Sequence, residues 1–135
     1  MATFHLQIVT PDRLCYDGPA ERILVRTVNG DTCILANHSD YAAALGIGEA
    51  HMVTEDGTTR AAACTGGMIS VRDNEVRVMA TTWEWAEEID LARAERARDA
   101  AEKRIEEAKA ADQSYTIAEM KMKRALIRIQ TGSRQ

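Results

Sequence analysis

The chemically capable residues of this chain fall into two groups. The first is sulfur and imidazole. Cys33 and His38 stand five positions apart, and a thiol beside a base could form an activated nucleophile. Cys33, however, lies in the apolar run Thr32-Cys33-Ile34-Leu35, where a thiol commonly acts as a small hydrophobe. His5 and His51 are isolated, and Cys15 and Cys64 have no C-x-x-C partner, so no metal-ligand set emerges. Gly66-Gly67 is too short to cradle a phosphate and reads as a turn or bulge. The second group is ionic. Asp90 and Arg93 are three apart and Arg124 and Arg128 four apart, so each pair shares a face if its segment is helical. If two such helices fold back on one another, the four charges converge. Three guanidinium groups there would repel unless an anion lay between them, and the rigid donor fork of Arg suits a polyphosphate. The alternative is a set of solvated surface charges, and spacing alone leaves both open.

These residues need elements to hold them, and the chain changes its grammar near Thr82. Seven of the eight glycines and both prolines precede that point. Residues 86–135 carry 11 basic and 10 acidic side chains, leaving 6 basic and 11 acidic for the first 85 positions. We expect a β domain over residues 1–85 and a helical domain over residues 86–135. Phe4-His5-Leu6-Gln7-Ile8-Val9 alternates with the period of a half-buried strand, and Ile23 to Val28 is β-branched up to the turn signal Asn29-Gly30. Asp56-Gly57 separates residues 51–54 from 58–61, and Asp73-Asn74 separates 68–71 from 76–79, which are two hairpin signatures. Many short strands at close spacing read as a sandwich or barrel, with an aliphatic core because only one Phe is present. Trp83 and Trp85 fall on one side of a final strand or lead-in.

In the second half Asp90 reads as a helix N-cap. Ala94, Ala97, Ala101, Ile105 and Ala108 form one apolar stripe, and Ala118, Met122, Ala125 and Ile129 a second. The break lies at Asp112 to Tyr115, with Thr116 to Glu119 as a capping box for the second helix. A short connection favours an antiparallel hairpin. Such a hairpin has little core of its own, so it must rest on the β domain, rest on a partner, or stay mobile.

Composition removes several function classes. At 135 residues a large two-domain enzyme does not fit. The net charge of -4 argues against a nucleic-acid partner, whose phosphates demand concentrated Lys and Arg. No apolar run approaches the roughly 20 residues that span a bilayer, and the first residues carry no signal-peptide pattern. Three irregularly spaced cysteines fit a reducing compartment and buried or half-buried free thiols.

Ordered segments then resemble a known family. Phe4 to Pro11 with Tyr16-Asp17-Gly18, Gly30 to Leu35 through His38, Thr65 to Met68 with Asn74 to Ala80, and Ile89-Asp90-Leu91-Ala92-Arg93-Ala94 are together similar to the epsilon subunit of bacterial F-type ATP synthases. The stretch Leu35-Ala36-Asn37-His38-Ser39-Asp40 departs from the Leu-Pro-Gly-His-Ala-Pro of many members. The resemblance implies an N-terminal antiparallel β-sandwich followed by a C-terminal antiparallel two-helix hairpin. It implies a non-catalytic subunit of a proton- or sodium-driven complex, peripheral on the cytoplasmic face of the bacterial cell membrane. Its partners would be the gamma subunit, the membrane rotor ring and, through an extended tail, the alpha/beta catalytic hexamer, whose ATP hydrolysis the tail would block. No nucleic acid and no membrane insertion are implied. Asp31 matches the ring contact and His38 lies near the gamma side. No cofactor is required, but in some members the folded hairpin takes ATP as a regulatory ligand. Those motifs match Ile89, Asp90, Arg93 and Ala94, and Arg124, Ala125 and Arg128, while Ala100 stands where some ATP binders carry an arginine. Beside this rotor subunit stand a free-standing ATP sensor and a small cysteine-dependent enzyme built on Cys33 and His38.

Overall fold

The structure, a computed structural model, describes residues 2–107 and 113–133. The chain divides into two compact units, Met1–Trp85 and Ala86–Gln135. The first unit holds seven strands: β1 (Phe4–Val9), β2 (Leu14–Thr27), β3 (Gly30–Leu35), β4 (Tyr41–Thr54), β5 (Thr59–Arg72), β6 (Glu75–Ala80) and β7 (Trp83–Trp85). Their order is β1-β6-β5-β4-β2-β3, with β7 on β5. Strand β1 also pairs β2, so hydrogen bonding closes on itself around the sandwich. All pairings are antiparallel except β1 with β6, which is parallel. Closure leaves few unpaired edges, which protects a small β unit from edge-to-edge association.

Two turns follow from their residues. Asp73 and Asn74 have φ of 50° and 62°, the two left-handed positions that a tight β5–β6 hairpin needs. At the β4–β5 turn Gly57 has φ 87°, and the Asp56 carboxylate accepts from Thr54 Oγ1 and from Thr58 N. The long strands differ from the expected short ones. Residues 51–54 are the end of 14-residue β4, while 59–61 and 68–71 belong to one 14-residue strand, β5. The intervening Ala and Gly residues have little β propensity of their own, and cross-strand pairing supplies what propensity does not. Gly66 and Gly67 (φ 128° and 117°) sit inside β5 where it leaves β7 and joins β6. A Cβ at Gly67 would lie 2.0 Å from the Met79 carbonyl oxygen, so only glycine fits this bend.

Inside, the closed sheet buries Leu6, Ile8, Ile23, Val25, Ile34, Met52, Ile69 and Val78 completely. Trp83 and Trp85 join this core, with ring centroids 5.4 Å apart in an edge-to-face contact. The Arg60 guanidinium lies 3.7 Å over the Trp85 ring.

The second unit begins with one 3-10 turn, Ala86–Glu88, followed by α1 (Leu91–Glu107) and α2 (Gln113–Gly132). Asp90 caps α1, its Oδ1 accepting from Arg93 N at 3.1 Å. The end of α2 meets the start of α1: a Cβ on Gly132 would lie 2.8 Å from Leu91 Cδ2 and 3.1 Å from Ile89 Cγ2. The pair is therefore an antiparallel hairpin. Its seam is Ala94 and Ala101 on α1 against Ala118, Ala125 and Gly132 on α2, all buried at seven-residue intervals.

Three expectations are corrected here. Ala97 is exposed, because the seam keeps a heptad period and passes through half-buried Arg98 instead. Thr116 does not cap α2, which starts three residues earlier at Gln113. An interior Thr costs only a few tenths of a kcal/mol, less than continued packing along the seam returns. Cys33 is exposed, since alternation along β3 places its neighbours Thr32 and Ile34 inward; Cys15 is half-buried and Cys64 buried. Ala108 of the first stripe and Asp112 of the break lie outside the described residues.

Candidate functional site

The hairpin carries one cleft with a clear chemical character. Its volume is about 290 Å³. Its floor is Ala97, Ala100 and Ala101 on α1, and its rim is Arg104, Lys121, Arg124 and Arg128. Positions 121, 124 and 128 recur at spacings of three and four, so α2 presents them on one face, and Arg104 faces them from α1. Four cations rim an apolar floor, and among the described residues no carboxylate lines it. That arrangement suits a polyanion with a flat apolar part, at the small end of ligand-cleft volumes.

The expected nucleotide residues divide between two roles. Arg124 and Arg128 are half-buried at the cleft. Ile89 and Ala94 are buried in the hairpin, so their side chains support it. Asp90 spends one carboxylate oxygen on the α1 cap, and Arg93 is exposed nearby. Asp90 and Arg93 are not among the residues lining the cleft. Arg104 and Lys121 are, and the sequence reading missed them. Their signal was the three-four spacing through Lys121, and the position of Arg104 one turn beyond Ala100.

The β unit presents two further surfaces. At the β2–β3 hairpin Asp31 pairs with Arg26, Nε donating to Oδ1 at 2.5 Å. That hydrogen bond is the main reason the Asp31 carboxyl is held below the usual carboxylate range. His38 lies in the β3–β4 connection, half-buried, its Nδ1–H donating to the Ser39 carbonyl at 2.7 Å and its ring edge-on to Tyr41. No hydrogen bond joins it to Cys33 among the described residues, so the nucleophile pair is not assembled.

The second surface is an outward row. Leu14, Val9, Met79, Met68 and Ala44 are successive register neighbours across β2, β1, β6, β5 and β4. Leu14, Met79 and Met68 are 56%, 41% and 49% exposed. Val28, 66% exposed, donates its main-chain N–H to the Ala44 carbonyl and extends the row. Contiguous exposed apolar surface marks a binding face. On the same face, toward the other end of β1, His5 bridges two carboxylates. Its Nε2 lies 2.5 Å from Asp17 and its Nδ1 2.5 Å from Glu75. Those bonds, Asp17 first, raise its pKa.

Comparison with known proteins decides the family. A profile for the "ATP synthase, Delta/Epsilon chain, beta-sandwich domain" matches residues 3–86. A second, for the "ATP synthase, Delta/Epsilon chain, long alpha-helix domain", matches residues 87–132. The chain belongs to the ATP synthase delta/epsilon family. Among similar relatives, the ATP synthase epsilon chain of Caldanaerobacter subterraneus is 36% identical over 132 residues, covering 98% of this chain and 95% of the relative. That of Ruminococcus albus is 35% identical over 136 residues, covering all of both. With these bacterial epsilon chains it is an epsilon-type, non-catalytic subunit. A chain in the mitochondrial ATP synthase structure of Euglena gracilis shares its fold, with TM-score 0.83 at 20% identity over 100% of this chain and 83% of the other.

The epsilon-type assignment gives two local features a context. Asn37 stands where many epsilon subunits have glycine, and its φ is 63°, a left-handed value that asparagine tolerates well. Its main-chain N–H donates to Asn74 Oδ1 at 2.7 Å, so the loop keeps a glycine-like bend without glycine. Ala100, which the resemblance matches to an arginine of some ATP-binding members, lies on the cleft floor, and Arg104 supplies a cation to the same cleft one turn on.

Proposed function

We propose that this chain is the rotor-stalk subunit that joins gamma to the membrane ring, and that its helical tail restrains ATP hydrolysis. The outward apolar row from Leu14 to Met68 and Val28 carries this reading, because a subunit that works alone has no use for such a face. Gamma docks on that row and on the side of the β unit that carries His38, and the ring meets Asp31 at the β2–β3 hairpin. The tail folds as the hairpin at rest and extends into the alpha/beta hexamer to block hydrolysis. The complex sits on the cytoplasmic face of the bacterial membrane. Among the described residues no helix is long and apolar enough to cross it. The test is deletion of residues 86–135 in the assembled complex. Faster ATP hydrolysis than in the intact complex is expected, and equal rates would refute the restraint.

The cleft favours one addition: ATP is the regulatory ligand of the folded hairpin. Its phosphates lie among Arg104, Lys121, Arg124 and Arg128, and the alanine floor takes an apolar ring. A ligand that binds the hairpin and not the extended tail shifts the balance toward the hairpin. Equilibrium titration of ATP against wild type and Arg124→Ala plus Arg128→Ala decides it. Millimolar or tighter binding, lost in the double variant, is expected. Absence of binding by the wild type would refute it.

A further inference from the structure

Strand β1 closes the hydrogen-bonded ring of the β unit, and His5 stands near its start. In register His5 faces Glu75 of β6 directly and Asp17 of β2 on the diagonal. Its Nδ1 lies 2.5 Å from Glu75 Oε2 and its Nε2 2.5 Å from Asp17 Oδ1. A neutral imidazole has a single N–H, so it donates to one carboxylate and turns a lone pair on the other; only the imidazolium donates to both. One proton therefore decides whether the side chains tie β1 to β2 and to β6 at once. The ring is 44% exposed, so it exchanges that proton with solvent directly. The clefts beside the ring add Arg72 at the end of β5, Asp73 in the β5–β6 turn and Arg77 on β6. Arg72 is turned to Asp73, Nε to Oδ2 at 3.8 Å, and Arg77 stands opposite Gln7. With Asp17 and Glu75 these groups leave a net negative charge, which the imidazolium balances.

The same turn also holds a loop distant in sequence. Asn74 accepts at its main-chain carbonyl from His5 N at 3.1 Å, donates from Nδ2 to the Thr3 carbonyl at 2.9 Å, and accepts at Oδ1 from Asn37 N at 2.7 Å. Asn37 and Asn74 are both left-handed, with φ of 63° and 62°, a conformation that persists where surrounding contacts fix it. Asn37 leads directly into His38 in the β3–β4 connection.

We propose that His5 is a proton-operated clamp on the β5–β6 turn: as the imidazolium it fixes Asn74 and Glu75 and, through the Asn74–Asn37 bond, keeps the β3–β4 loop with His38 ordered, whereas loss of the proton loosens that loop. The two carboxylates, Asp17 first, raise the pKa of His5. The clamp is therefore closed below the ordinary imidazole value and opens as pH rises through the raised folded one. Every group involved belongs to the β unit, so the device needs no partner chain.

The test follows the intact chain by NMR across the His5 titration. The His5 ring shifts report the proton. Solvent exchange of the Asn37 amide, corrected for its intrinsic pH dependence, reports the loop. Asn37 protection is expected to fall about two- to fivefold as His5 deprotonates, the scale of an exposed ionic contact, while the core amides of Ile69 and Val78 stay unchanged. His5→Gln should remove the pH dependence, and His38→Gln should keep it, which separates the clamp from titration of the loop's own imidazole. Asn74→Gly preserves the left-handed turn, so it should leave the His5 titration in place and uncouple Asn37 from it. Asn37 protection that is constant with pH in the wild type, or a change that survives in His5→Gln, overturns the clamp. A change that survives in Asn74→Gly overturns the route through Asn74.

Discussion

Two alanines on α1 test the hairpin seam. Ala101 is 2% exposed, whereas Ala97, one turn earlier, is exposed. Leu is nearly as good a helix former as Ala, so changing each to Leu isolates packing from propensity. At Ala101 the added isopropyl group enters a gap set by alanine-to-alanine approach, and overpacking of this kind costs about 1–3 kcal/mol. That is comparable to the whole apolar contribution of the seam. The buried methyls of Ala94, Ala101, Ala118 and Ala125, at about 0.8 kcal/mol each, come to about 3 kcal/mol. Ala101→Leu should therefore raise the opening equilibrium of the hairpin by about 5- to 150-fold. Amide hydrogen exchange of the isolated chain, read over residues 91–107, measures that opening directly. Exchange should accelerate by that factor in Ala101→Leu and by less than about twofold in Ala97→Leu. Equal acceleration in both would mean that the seam does run through Ala97, as a plain apolar stripe would have it. No acceleration in either would mean that alanine packing does not hold the hairpin closed.

Three further outcomes follow from single groups. His5 is bonded at both ring nitrogens to carboxylates, so the bridge requires the imidazolium, and its pKa is raised. Its stabilisation is therefore full below the ordinary imidazole pKa and lost as pH rises through the raised folded value; because the ring is exposed, urea unfolding should show only about 0.5–1 kcal/mol of it, absent in His5→Gln. Gly67→Ala forces a Cβ to within 2.0 Å of the Met79 carbonyl at a φ of 117°, and denaturation should show the β unit weakened by about 3 kcal/mol or more. Arg104→Ala should weaken ATP binding about tenfold in calorimetric titration, while Arg96→Ala, outside the cleft, should leave it unchanged.

Local chemistry was legible in the sequence wherever one or two residues decide a conformation. Asp73-Asn74 and Asp56-Gly57 announce their turns because left-handed φ values admit few residues. Asp90 announces the start of α1 because a free carboxylate satisfies an unpaired N–H there. Features set by distant neighbours were not legible. Strand β4 runs through Ala42 to Gly48, whose own preferences are weak, and exists because β2 and β5 flank it. The parallel β1–β6 pairing and the closure through β1 and β2 join segments far apart in sequence. The seam shows the same limit: a count of apolar residues favours Ala97, but helix-to-helix approach selects the heptad position held by Arg98. Arg104 was hidden because only the partner helix shows that it faces Lys121 and Arg124.

Each unit is held together internally by forces of a different scale, and this bears on the proposed control of the tail. The β unit buries Leu, Ile, Val and Met side chains completely and closes its own hydrogen-bonded ring. The hairpin buries mostly alanine, with Ile89 and Thr131 near its end. Alanine permits close approach but removes little apolar area from water, so its gain stays near the few kcal/mol estimated above. Meanwhile Arg104, Lys121 and Arg124 bring like charges to one cleft, an arrangement that favours an anion there. A ligand present at about 100 times its dissociation constant adds about 2.7 kcal/mol to the form it binds. That increment is as large as the alanine seam itself. On the proposed reading, a polyanion in the cleft therefore need not bind tightly to decide between hairpin and extended tail, because the packing it competes with is weak by composition. A leucine-zippered hairpin with the same cations would be indifferent to such a ligand, which is the physical reason to read small residues in this seam as part of the control.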